Sequence, residues 1–147
     1  MKFGKNKEDY IIIVGCGRLG ANLANTLSDE NGNVLIMDTC KDSFRRLSAD
    51  FGGLSLVGNG TDLDNLHTAQ IEKATAVIAV TYDDNTNIMI VQLARELFHV
   101  PRVIARLYDP ERETVYRDLG IDTICPAILS AKEVDKILEN FGKDEEK

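Results

Sequence analysis

The stretch "YIIIVGCGRLG", Tyr10 to Gly20, decides the fold. A short β-branched apolar run reads as a buried strand. The three glycines that follow, Gly15, Gly17 and Gly20, read as a turn that opens directly into a helix. At this spacing Gly15 permits the tight turn, Gly17 lets an anion approach the backbone, and Gly20 lets the helix pack closely on the sheet. The exposed amides of the helix start, reinforced by its dipole, then hold a phosphate. Cys16, Arg18 and Leu19 fill the turn and belong to the same candidate site. Arg18 is the odd residue, because a cation in a first helical turn is mildly unfavourable. It makes sense beside a multiply charged anion, in its own site or reaching in from a neighbouring subunit; the alternative is a solvent-facing side chain.

Outward from this stretch, short β-branched runs alternate with longer stretches of helical period. Strands are predicted at Tyr10–Val14, Asn33–Asp38, Leu54–Val57, Ala76–Val80, Arg102–Arg106 and Thr123–Cys125. Helices are predicted at Arg18–Ser28, Lys41–Phe51, Asp62–His67, Asn85–Phe98, Glu111–Asp118 and Ser130–Phe141. Strands apolar on both faces belong to a parallel sheet covered on each side. Right-handed crossovers then give an α/β, doubly wound, Rossmann-type sheet of six parallel strands in the order 3-2-1-4-5-6. Gly32 and the "FGG" of Phe51–Gly53 stand where helix C-termini favour left-handed residues. Pro101 stops one helix, and Pro110 can open the next. The expected organisation is a lead-in over 1–9, one nucleotide-binding domain over 10–141 whose terminal helix spans 130–141, and a solvated charged tail over 142–147. Nothing is left over for a second domain, and catalytic groups for hydride transfer normally arrive on one.

A net charge of -7 argues against a nucleic-acid partner, which needs a basic face. The longest apolar runs are strand-sized, far short of the roughly 20 residues a membrane helix needs, so no direct membrane insertion is expected. Cys16, Cys40 and Cys125 lack metal-ligand spacing and read as reduced thiols of a cytoplasmic protein. His67 and His99 fall on predicted helices without clustered ligands, so no metal site is expected.

A lone G-x-G-x-x-G is weak, but here it follows a strand, opens a helix, sits in a βαβ unit and precedes an acid at a strand end. That acid, Asp38, can accept hydrogen bonds from ribose hydroxyls and would repel a 2′-phosphate, disfavouring NADP. Its alternative role is to cap the helix beginning near Lys41. Thr39 adjoins it in the same candidate site. The loop Gly58–Asp62 should border the adenine side, with Asn59, Gly60 and Thr61 as base contacts, or else form a glycine turn capped by Thr61 or Asp62. Past the fourth strand, Thr81, Asp84 and Asn87 stand at the opposite half of the crevice, and Asp83 or Asp84 caps the long helix. There is no G-x-x-x-x-G-K-[ST] loop and no general base poised at a strand end, so the site reads as one that binds without catalysing. The alternative is a small NAD-dependent oxidoreductase, or the cofactor-binding half of one whose catalytic groups come from a partner chain.

Together, "IIIVGCGRLGANLA", "VLIMDTCKDSFRRL", "LVGNGTDLDNL", "ATAVIAVTYDDNTNIMIVQLAR", "VIARLYDP" and "LGIDTICPAILSA" resemble the N-terminal regulator-of-K⁺-conductance domain, the TrkA-N or KTN domain of bacterial potassium-uptake regulators. The resemblance runs from about Tyr10 to Phe141. It implies a cytosolic regulatory subunit that is no enzyme, pairs as a homodimer or a larger ring, and binds ATP, ADP, NAD⁺ or NADH. Ligand binding would reshape the assembly and gate a membrane K⁺ channel or transporter, holding the protein at the inner face of the membrane. It also implies phosphates at Gly15, Gly17 and Gly20, ribose at Asp38, adenine by Asn59 and Thr61, and terminal phosphate at Arg18. Arg106 falls where the family keeps an arginine near nucleotide or a subunit contact; as a bare sequence feature it is equally a surface cation. The final helix is implied to cross to a dimer partner. Many members continue into a second ligand-sensing domain, and this sequence ends before one. Some ATP-responsive members place a metal-linked acid after the last strand's proline; here Ala127 follows Pro126.

Overall fold

The computed structural model describes residues 9–30 and 32–145. The expected lead-in apart from Asp9, and the last two residues of the expected tail, lie outside the described residues. Strands β1 (Tyr10–Val14), β2 (Asn33–Asp38), β3 (Leu54–Val57), β4 (Ala76–Ala79), β5 (Arg102–Arg106) and β6 (Asp122–Ile124) form one sheet. Its order is β3-β2-β1-β4-β5-β6 and every pairing is parallel, as the alternation of elements predicts. Helices α1 (Arg18–Asp29), α2 (Leu63–Thr68), α3 (Asp84–Glu96), α4 (Pro110–Asp118) and α5 (Pro126–Glu145) follow the strands.

The two-sided apolar character of β1 has a direct structural counterpart. Ile12 and Val14 enter the core under α2 and α3, while Ile11 and Ile13 enter the opposite one, under α1. Ile11, Ile12 and Ile13 are at most 1% exposed, and each such burial contributes about 1.5–3 kcal/mol. This anchors the centre of the sheet, where the strand order turns back between β1 and β4. Ligand crevices in such sheets open there, beyond the carboxyl ends of the strands.

Four expectations are corrected. The helix predicted over Lys41–Phe51 is a short 3-10 segment, Lys41–Arg46. Beyond it the chain is held by α1, where Asn25 Oδ1 accepts from Ser48 N–H (3.0 Å) and Ser28 Oγ from Gly52 N–H (2.8 Å). These side chains take the amides that a longer helix would have used itself. Gly52 and Gly53 are not left-handed; the left-handed glycine closure belongs to Gly120 after α4, with the paired bonds Ile121 N–H to Tyr116 O and Gly120 N–H to Arg117 O. His99 lies beyond α3 with φ 55°, not on a helix. Finally, α5 begins at Pro126 and continues through the segment expected as a tail. Its residues 130–143 are all exposed, so it does not pack on its own domain.

Candidate functional site

The glycine turn is built as its spacing requires. Gly15 has φ +110°, and a Cβ there would lie 2.8 Å from the carbonyl carbon of Val80. A Cβ on Gly20 would lie 1.8 Å from Gly15 O, so α1 rests directly on the turn it grows from. Gly17 is the N-cap of α1 and supplies no side-chain bond, and no acidic residue stands in the first turn. The first amides of an α-helix have no partner within the helix. Arg18 is exposed at the first position of α1, with no ion pair among the described residues. The start of α1 is therefore open and positive.

Asp38, at the end of β2, ties the turn to the next loop. Its Oδ2 accepts from Cys16 N–H and its Oδ1 from Cys40 N–H, both at 2.8 Å. The carboxylate thus braces the crevice, and each oxygen keeps accepting capacity for a further donor such as a ribose hydroxyl. Cys16 is buried and its thiol donates to Ser43 O at 3.3 Å. Burial pushes that thiol above its ordinary pKa, the Asp38 carboxylate adds to the rise, and Arg46 opposes it. A raised thiol is a poor nucleophile, and Cys16 acts as a small core filler.

A cavity of about 250 Å³ opens beside the turn. Of the sequence-predicted residues, Gly15, Asp38, Thr39, Asn59, Gly60 and Thr81 line it. Thr61 stands just behind: its amide and hydroxyl both reach Asn59 Oδ1, at 2.9 and 2.8 Å. Asp62 caps α2 by accepting from Asp64 N–H. The capped-turn alternative for this loop is thus realised, while Asn59 and Gly60 still face the cavity.

Asn87 and Arg106 are both buried. Asn87 is fully buried, and its amide is spent on the protein. Its Oδ1 accepts from the Thr81 amide (2.8 Å) and hydroxyl (2.6 Å), and its Nδ2 donates to Thr81 O (3.0 Å) and Arg106 O (2.9 Å). It clamps the β4 exit to β5 and does not face the cavity. Arg106 is no surface cation: it is 7% exposed and donates from Nη2 to Val80 O (2.7 Å) and Thr81 O (3.0 Å). Its guanidinium carbon lies 5.4 Å from the Tyr82 ring centroid and 5.0 Å from that of Tyr108, within cation–π range. Tyr82, missed in the sequence, lines the cavity from the β4 side. Among the described residues no group of His, Cys, Asp or Glu is arranged to hold a metal ion, and no helix is long and apolar enough to cross a membrane.

A doubly wound parallel sheet with an open glycine turn at its switch point defines a Rossmann-type domain. Within that class the chain belongs to the TrkA-N family, whose domain model matches residues 11–126. It is 44% identical over 135 residues to the Trk system potassium uptake protein TrkA of Streptomyces coelicolor, covering 92% of this chain and 60% of that protein. The chain thus spans about three fifths of that curated relative. Its fold is similar to the TrkA-N domain of inner membrane protein ybaL from Escherichia coli, with TM-score 0.79 at 20% identity, covering 88% of this chain and 96% of that one. It is also similar to GsuK bound to ADP, with TM-score 0.76 at 24% identity, covering 94% of this chain and 36% of that one. GsuK is also known bound to NAD.

Proposed function

We propose that this chain is the nucleotide-sensing part of a cytosolic regulatory protein of a potassium-uptake system, held at the inner face of the membrane through a channel or transporter subunit. It binds an adenine nucleotide, ATP, ADP, NAD⁺ or NADH, and catalyses nothing. The observation that carries this reading is the start of α1, uncapped by any side chain and bearing Arg18, next to the glycine turn whose Gly15 lines the cavity that Asp38 braces. Phosphates lie on the α1 amides, the ribose on Asp38 and the base by Asn59 and Gly60. The potassium-uptake name of the Streptomyces coelicolor relative supports the system, and the ADP-bound GsuK structure supports the ligand class. The ligand acts by binding one arrangement of an assembly better than another.

The assembly is a homodimer or a ring of such dimers. Val134, Ile137, Leu138 and Phe141 recur at helical spacing on α5 and are 53 to 68% exposed, an apolar stripe for a second copy. A protein that sediments only as a monomer would count against this pairing. The ligand is tested by thermal shift with ATP, ADP, NAD⁺ and NADH in turn. A ligand at a hundredfold its Kd adds about 2.7 kcal/mol of stability. At least one of the four should raise Tm clearly, and no shift with any would overturn the reading.

A further inference from the structure

Tyr82 is 69% exposed and has a neighbour on each side. A Cβ on Gly17 would lie 2.8 Å from the Tyr82 hydroxyl and 3.2 Å from its Cζ, so the ring tip rests against the N-cap of α1. The other face of its surroundings is set by Arg106, held to Val80 O and Thr81 O and lying 5.4 Å from the ring centroid. Two cavities meet at this ring. One is the nucleotide crevice of about 250 Å³; the other, of about 300 Å³, lies between Asp83, Asp84, Tyr108 and Arg112. Tyr82 is the single residue shared by the two linings among the described residues.

We propose that Tyr82 is a specificity-determining partition that makes the crevice select an adenine mononucleotide over a dinucleotide. This rests on the nucleotide-binding reading above and adds to it which class of nucleotide fits. A dinucleotide must run from the phosphate-holding amides of α1 past the β4 exit into the second cavity, and the Tyr82 ring stands across that route. The first cavity alone is smaller than the roughly 300–1,000 Å³ of pockets that enclose drug-sized ligands. It suits one nucleoside with its phosphates emerging at the open helix start.

The test is calorimetric titration of ADP and NAD⁺ into the wild-type protein, Tyr82→Ala and Tyr82→Phe. Wild type should bind ADP at least tenfold more tightly than NAD⁺. Tyr82→Ala should shrink that preference at least fivefold through a gain in NAD⁺ affinity, with ADP affinity changed less than threefold. Tyr82→Phe keeps the ring and should keep the preference. A wild-type preference under tenfold, or a preference shrinking less than fivefold in Tyr82→Ala, would overturn the partition while leaving nucleotide binding standing. Failure of all three proteins to bind either nucleotide would overturn both.

Discussion

Two kinds of helix start border the carboxyl end of this sheet. Helices α2, α3 and α4 each begin on an aspartate, Asp62, Asp83 and Asp109, whose carboxylate accepts a backbone N–H of the first turn. Each also carries further acid in that turn. Helix α1 begins on Gly17, has no side-chain cap and no acid, and carries Arg18 instead. An aspartate cap and a bound phosphate satisfy the same orphan amides and the same dipole. Those three starts carry their own anion; α1, at the centre of the sheet, does not, and on the proposed reading it takes one from solution. Helix α5, which likewise has no acid in its first turn, starts at the sheet edge beyond β6.

The comparison breaks most severely at Gly20, because α1 must sit directly on the glycine turn. Gly20→Ala places a methyl 1.8 Å from Gly15 O, a backbone atom with no free end to yield. Overpacking of this kind is expected to cost about 3 kcal/mol, the upper end of the usual range, seen as a lowered urea midpoint. An unchanged midpoint would mean that the close contact is not a real constraint on the turn.

A smaller effect sharpens the capped side. The Thr86 N–H bonded to Asp83 holds that carboxyl below its ordinary pKa. A depressed carboxylate stabilises the fold above its unfolded pKa, in the usual range near 4, and loses that contribution as pH falls through the folded value. Asp83→Ala should therefore lower Tm at pH 7, and the gap from wild type should close on acidification below about pH 4. A gap independent of pH would show that the cap does not act through its charge.

The order of the sheet was legible because β-branched runs and helical periods alternate without interruption, and the glycine turn because its spacing answers to one geometry. Other features depend on partners that lie far away in sequence. The non-helical chain beyond the 3-10 segment is held by Asn25 and Ser28 of α1. Asn87 looked like a ligand contact because it lies one turn inside α3, and only the fold brings Arg106 O to its amide. Tyr82, between Thr81 and Asp83, carries no sequence signal of its own beyond that of an exposed turn residue; its place is set by Gly17 on one side and Arg106 on the other. The apolar spacing of α5 was readable; the residues alone left open whether its own domain covers that stripe, and the resemblance implied that it does not.

The central claim is that the start of α1 is kept positive for an external anion, and Arg18→Glu tests it by giving α1 an acidic first turn like those of its neighbours. The ligand-free variant should gain about 0.5 kcal/mol of stability, because a carboxylate favours a helix N-terminus where a cation does not. Its affinity for ADP, measured by calorimetry, should fall on the order of tenfold, or about 1.4 kcal/mol. Those opposite signs are the predicted result. An affinity for ADP equal to that of wild type would contradict the account.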